Sequence, residues 1–343
     1  QTPTLAMLVE RAGQISNFQK EKYFNVELDC DGIPAVKPKI FDPDEAEQLR
    51  SRCQGSEAIV TAVKETEKKV KAPKLYDLTT LQREANRIYG MTAKQTLDTA
   101  QNLYEKKLIT YPRTDSQYLT EDMEQTARNV VRQIYEKYQL TGPFDQPEQP
   151  DVKKVMNNSK VTDHHAIIPT MELSSCHLDE LKSWEEKILF LIAVHTVMAM
   201  SKEHVYQETE IEVECQGEIF KAKGKTVLQD GWKLFENCFK NKDRMAIVDP
   251  DQEMKEKIPK VTQGQTFYAV AAEKTEHFTS PPKPYSEDTL LAAMETAGNK
   301  EFDEDTEKKG LGTPATRAGI IEKLIYSQYA TRKGKQILPT EDG

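Results

Sequence analysis

The hydrophobic rhythm of the chain changes character several times. Residues 22–30, Lys-Tyr-Phe-Asn-Val-Glu-Leu-Asp-Cys, alternate over their second half as a half-buried strand does. Residues 57–71 mix valine with lysine and glutamate and predict a strand followed by a charged linker. From about residue 77 the period becomes helical. Thr79-x-x-Gln82 and Thr92-x-x-Gln95 read as capping boxes, each opening a helix. Gly90 stops the first, and the second runs to about Lys107. A further helix is expected over about 121–139, with Glu121, Asp122 and Glu124 at the positive end of its dipole. The polar stretch 141–163, with Pro143, Pro147 and Pro150, reads as a loop, and a long helix over about 182–201 closes the block.

Strand character returns over 205–275. Glu210-Ile211-Glu212-Val213-Glu214 alternates cleanly, and Phe267-Tyr268-Ala269-Val270-Ala271 is apolar and β-prone. Pro281, Pro282 and Pro284 then mark a boundary. Two helices follow: one over about 287–297 that ends at Gly298, and one that opens at Thr313-Pro314, an N-cap with proline at the first helical position, and ends near Tyr326. The order strands, helices, strands, helices predicts a multidomain α and β protein in which one β domain is split by an inserted helical domain.

Composition narrows this picture. A chain of 343 residues exceeds one ordinary core, so about two or three domains are expected. With 37% apolar and 30% charged residues it suits a rather polar soluble protein. No run of about 18 apolar residues predicts a membrane span; the longest apolar block, Ile188 through Val194, meets His195 and reads as a buried helix. Gln1-Thr2-Pro3-Thr4-Leu5 is neither a natural start nor a signal peptide, and Leu338 through Gly343 stops abruptly, so a piece of a longer protein is expected. Five scattered cysteines (Cys30, Cys53, Cys176, Cys215, Cys238) without C-x-x-C spacing argue against zinc and disulfides and point to a reducing cytoplasm. A net charge of −9 disfavours nucleic acid when averaged over the chain, yet is compatible with a local basic groove.

Candidate chemistry concentrates in Leu108-Ile109-Thr110-Tyr111-Pro112-Arg113-Thr114-Asp115-Ser116. A free tyrosine ionises near pH 10 and is a poor nucleophile unless a cation or base assists it. Arg113 supplies a guanidinium that forks onto a phosphate. Pro112 biases Tyr111 toward an extended conformation, clear of the preceding helix. On the residues alone, two readings stand: a tyrosine packed beside a polar turn, or a nucleophile with its charge partners. Gln101 and Glu105 share one face of the preceding helix, as groove lining or as a solvated surface. In Thr162-Asp163-His164-His165-Ala166-Ile167-Ile168-Pro169-Thr170, adjacent histidines point apart, so both on one metal is disfavoured; one can give a phosphate a hydrogen bond or charge. Gly310-Leu311-Gly312-Thr313-Pro314-Ala315-Thr316-Arg317 leads glycines into a helix N-terminus, an anion site or simple capping, and does not match an ATP loop.

Taken together, these stretches resemble type IA DNA topoisomerases, most closely the bacterial topoisomerase III branch. The resemblance rests on five stretches in order: Gln1 through Leu5, Asp77 through Asn86, Leu108 through Ser116, Asp163 through Thr170, and residues 310–317. It implies the central region of that fold: the end of a helical base over 1–16, a β-rich arch over 17–74 and 205–280, a helical domain over 75–204 carrying the active-site tyrosine, and part of the helical base over 281–343. It further implies that Tyr111 attacks single-stranded DNA to form a 5′-phosphotyrosine, that the other strand passes through the gap, and that resealing needs no ATP. Arg113 would stabilise the pentacovalent phosphate. His164 would contact the scissile region, and Gln101, Glu105, Asp115, Thr316 and Arg317 would line the DNA path.

The family's Toprim domain, with its acidic Mg2+ site, would precede Gln1. No Asp-x-Asp-x-Glu cluster of that kind occurs here; Asp303-Glu304-Asp305 is a poor substitute, and no metal site is expected in this chain. Mg2+ belongs to the full-length enzyme. The expectations that follow are a monomeric, cytoplasmic protein without membrane contact, whose 343 residues alone neither relax nor efficiently cleave DNA. The alternative is a single-stranded DNA-binding module without catalysis. A tyrosine recombinase would need an Arg-His-Arg set ahead of a C-terminal tyrosine, whereas Tyr111 comes early and His164 follows it.

Overall fold

Alternating inward and outward side chains build the largest element. Strands β1 (Lys22–Cys30), β2 (Ile33–Ile40), β3 (Ala58–Val70), β4 (His204–Cys215), β5 (Glu218–Gln229), β6 (Thr266–Phe267) and β7 (Ala271–Phe278) form one antiparallel sheet in the order β6-β3-β4-β5-β2-β1-β7. The computed structural model describes residues 1–140, 150–236, 258–297 and 310–343. β3 and β4 pair across the gap of more than a hundred residues between them, so the helical segment is an insertion into the sheet. Phe24, Val26, Leu28, Val60, Val213 and Phe220 fill its core together with Ala46 and Leu49 of α2 (Pro43–Cys53).

Two differences from expectation arise here. The charged stretch after residue 63 is strand to its end, not linker: Lys64 through Val70 pair residue by residue with Glu210 back to His204. Ladder hydrogen bonds hold such a ribbon without an apolar face, and cross-strand partners such as Gln207 and Glu65, 2.8 Å apart, replace burial. β2 and α2 were not anticipated. Pro34, Pro38 and exposed lysines mask the alternation of β2, although Asp42-Pro43 carries a cap signal, with Asp42 accepting the Asp44 N–H at 2.8 Å.

The inserted block contains α3 (Leu78–Tyr89), α4 (Ala93–Glu105), α5 (Glu124–Tyr138) and α6 (Ser183–Ala199) around a core of its own. Thr92 and Gln95 cap α4 reciprocally, as expected. The α3 cap is shifted: Asp77 is the N-cap, accepting the Thr80 N–H at 2.7 Å. A carboxylate accepts more strongly than a hydroxyl, and Thr79 and Gln82 are buried and used elsewhere, Gln82 donating to the Ala93 carbonyl at 3.0 Å. Gly90 does close α3, at φ +70°. From Ile188 on, α6 is buried on all sides, as its sequence suggested.

A third core joins α1 (Thr2–Ser16), α7 (Glu287–Thr296), α8 (Pro314–Tyr326) and the hairpin β8 (Ala330–Lys333)–β9 (Gln336–Pro339) through Leu8, Leu291, Met294, Ile321 and Ile337. Thus the two chain ends fold together. Gly298, Asp303 through Asp305, residues 141–149 of the expected loop and Cys238 lie outside the described residues. The described cysteines are free thiols, and burial pushes Cys30 and Cys53 up to about 12. Among the described residues, no helix is long and apolar enough to cross a membrane.

Candidate active site around Tyr111

α4 ends in a reversal that aims the chain at the site. Lys107 takes φ +61°, its N–H donates to the Tyr104 carbonyl at 2.8 Å, and the Leu108 N–H reaches the Leu103 carbonyl at 2.9 Å. This pair of bonds is the Schellman stop, and buried Leu103 and Leu108 supply its apolar contact.

Beyond it, odd and even positions part company. Pro112, Thr114 and Ser116 are buried, while Arg113 and Asp115 are exposed and Tyr111 is partly so. Burial alternates along the segment in spite of the bend at Pro112–Arg113, so Tyr111, Arg113 and Asp115 share the outer side. The inner hydroxyls lock the segment. Thr110 donates to the Ala166 carbonyl at 3.0 Å, Thr114 to the His164 carbonyl at 2.9 Å, and Ser116 to the Lys160 carbonyl at 2.7 Å. Backbone pairs add to them: Thr110 N–H to Ile168 and Thr170 N–H to Leu108, both at 3.0 Å. The tyrosine stretch and the His-His stretch are therefore two sides of one hydrogen-bonded unit.

That pairing puts the His164 ring on Tyr111, with centroids 4.3 Å apart and planes tilted by 45°. Tyr104 meets Tyr111 edge-on at 5.3 Å. His165 turns away, its Nδ1 lying 2.8 Å from the Ala166 carbonyl. Arg113, Thr114 and Asp115 line a cleft with Thr162, Asp163 and His164, and the opposite wall is Thr313, Pro314 and Ala315 at the start of α8. A guanidinium, an imidazole and a helix N-terminus so face one space together with the Asp115 and Asp163 carboxylates; the first three are groups that can hold a phosphodiester, and the two carboxylates confine that role to the Arg113 and His164 side.

The structure does not bring every expected residue to this cleft. Gln101 and Glu105 pair with each other along α4 at 3.2 Å, on the turn that carries Tyr104. Thr316 Oγ1 accepts the Thr313 N–H at 2.9 Å and serves the helix cap. Arg317 is 5% exposed and points inward, donating to Thr79 Oγ1 at 2.8 Å and to the Leu311 carbonyl at 3.2 Å, with Glu295 at 3.8 Å. The glycines hold the wall close: a Cβ on Gly310 would sit 2.3 Å from the Met294 and Glu295 carbonyl oxygens. Sequence reasoning missed Tyr104; Thr162, Asp163, Pro314 and Ala315 lay within its candidate stretches without being assigned a role of their own. The even positions Thr110, Pro112, Thr114 and Ser116, three hydroxyls and a proline, were a legible signal for the inner face.

A family model described as DNA topoisomerase matches residues 1–343. The chain belongs to the DNA topoisomerase family. DNA topoisomerase 3 of Bacillus licheniformis is 38% identical, with 100% of this chain and 48% of that protein covered. DNA topoisomerase 3 of Bacillus subtilis is 37% identical, with 100% and 49% covered. Full-length topoisomerase I from Thermotoga maritima shares the fold at TM-score 0.72, with 24% identity, 98% of this chain and 52% of that chain covered. The type IA, topoisomerase III resemblance is thereby borne out, as is the β-rich region with inserted helices. The chain spans about half the length of the curated relatives it matches.

Proposed function

We propose that this chain supplies the nucleophile and the strand gate of a type IA DNA topoisomerase. Tyr111 Oη bonds to the phosphorus of one phosphodiester in a single strand, and the bond to the 3′ oxygen breaks. The phenol proton passes, in net, to that departing oxygen, leaving a 5′-phosphotyrosine and a free 3′ hydroxyl. Reversal reseals the strand; because the ester conserves the bond, no ATP is consumed. Arg113 stabilises the charge on the pentacovalent phosphate, and His164 positions the phenol and faces the same anion. Asp115 borders the path, and Gln101, Glu105 and Thr316 flank it; Arg317 acts by fixing the wall behind it.

The observation that carries this reading is the packing of His164 on Tyr111, with His164 and Arg113 lining a cleft shared with the α8 N-terminus. The working parts are taken as a base (1–16 and 281–343), an arch (17–74 and 205–280) and the tyrosine-bearing block (75–204), acting as a monomer. Among the described residues no group of three or more His, Cys, Asp or Glu side chains is placed to hold a metal. These residues do not fit a Mg2+ site, and no step above is routed through that ion. We expect the 343 residues alone to neither relax supercoiled DNA nor cleave efficiently; robust relaxation by them would refute this.

The decisive test is Tyr111→Phe in the full-length protein. Denaturant-trapped covalent complexes with labelled single-stranded DNA should vanish, while binding persists. Trapping that survives the substitution would move the nucleophile elsewhere, and binding with no trapping even by unaltered protein would favour a non-catalytic binding module.

A further inference from the structure

Past Ser116 the same segment carries a second feature that the cleavage chemistry does not use. The partly exposed ring of Tyr118 has Lys160 Nζ 5.1 Å and Lys74 Nζ 5.7 Å from its centroid. Both lysines are exposed, and among the described residues neither has a carboxylate partner. Other lysines of the chain do face carboxylates, as Lys94 does Asp98 and Lys106 does Glu185. Here two ammonium groups without a carboxylate partner converge on one aromatic face.

The three residues come from separate segments, and each is held by its backbone. The Tyr118 carbonyl accepts from Ala166 N–H at 2.9 Å, and its own N–H reaches Ser116 Oγ at 3.2 Å. The Lys160 carbonyl takes the Ser116 hydroxyl at 2.7 Å. The Lys74 carbonyl takes Nε2 of His195, a buried imidazole stacked on Tyr76 at 3.7 Å. The platform is thus rigid at its base and free at its tips. It also adjoins the cleft, since Ser116 follows Asp115 and Lys160 lies two residues before Thr162.

We propose that Tyr118, Lys74 and Lys160 form a binding platform for single-stranded nucleic acid, gripping the part of the cleaved strand that stays bonded to Tyr111. The inference rests on Tyr111 being the nucleophile. A 5′-phosphotyrosine leaves the strand 3′ of the break attached to the tyrosine-bearing block. A grip built on that same block moves with it and keeps the strand aligned for resealing. The ring offers a face on which any base stacks, and the flexible lysines swing onto neighbouring phosphates as point charges. An acidic peptide would satisfy the lysines but has no use for the ring.

The test uses the full-length protein in a Tyr111→Phe background, so that binding is read without cleavage. Fluorescent oligonucleotides share one cleavage site and differ in the length of the arm 3′ of it. With the long arm, Lys74→Gln plus Lys160→Gln should weaken binding on the order of tenfold and make the log–log salt slope shallower by about 1.4. Tyr118→Leu should weaken it roughly tenfold, and Tyr118→Phe, which keeps the ring, should recover most of that. Both losses should disappear when the 3′ arm is removed. An unchanged salt slope, or losses that persist without the 3′ arm, overturns the proposal. So does a lysine-dependent affinity for poly-glutamate that exceeds that for DNA. Failure of the underlying reading has a separate signature, covalent trapping that survives Tyr111→Phe.

Discussion

At Tyr111 positioning comes from its neighbours on the inner face. Thr110, Thr114 and Ser116 spend their hydroxyls on the carbonyls of the 160–166 segment, which leaves Tyr111, Arg113 and Asp115 facing outward. Behind them, burial pushes the Asp77 carboxyl up to about 6, against the hydrogen bonds from Thr80 that favour the anion. A folded-state pKa above the ordinary carboxylate value means that the folded chain binds the proton more tightly than the unfolded one. The resulting stabilisation is complete below about pH 4 and is lost as pH rises through about 6. Asp77→Asn keeps an acceptor for the Thr80 N–H and removes the titration. Relative to the unaltered chain it should gain roughly 2–3 kcal/mol between pH 4 and pH 8. Urea unfolding of both proteins at the two pH values checks this; a pH-independent difference would sink it.

The elements end where their last residues permit, and two stops frame the site. Gly90 closes α3 at φ +70°, a conformation that glycine adopts freely; Gly90→Ala should cost about 1 kcal/mol. Lys107 performs the same task for α4 at φ +61° with a side chain that disfavours it. Lys107→Gly should therefore stabilise the protein by about 1 kcal/mol, seen as a higher urea midpoint with an unchanged slope. A lower midpoint would mean that the stem of Lys107 contributes packing that outweighs backbone strain. The pair predicts opposite signs for two changes at structurally equivalent helix ends.

At the scale of the molecule, the inserted helical block meets the third core through buried Ala93 and several polar contacts. Arg83 pairs with Asp288 at 2.8 Å, Glu287 accepts the Ala93 N–H at 2.5 Å and Arg332 at 2.6 Å, and Arg317 reaches Thr79. Burial decides their rank. Arg317 is buried, so Arg317→Ala should cost about 2 kcal/mol by leaving Thr79 and the Leu311 carbonyl without their donor. Arg83 is about one-third exposed, and Arg83→Ala should cost under about 1 kcal/mol. Denaturation of the two variants side by side tests the order, and equal losses would show that burial is not what separates them.

How much of this was legible beforehand differs by kind of feature. Local chemistry could be read directly: glycine at Gly90, the Thr92–Gln95 cap and Pro314 at the start of α8 act through their own backbone, and a neighbour in sequence suffices to recognise them. The insertion of helices into a sheet was legible because periods of two and of 3.6 residues differ. What sequence could not rank was the use of polar groups that have several possible partners. The ribbon after Val63 became strand because β4 lay alongside it, and Thr79 left the α3 cap because Arg317 arrived from 238 residues away. By itself the sequence determined the helices of the inserted block, the order of strand and helix segments and the residue types gathered around Tyr111. Only tertiary structure decided that Arg317 faces inward and that Tyr118 gathers two lysines, because each depends on which distant groups a side chain meets.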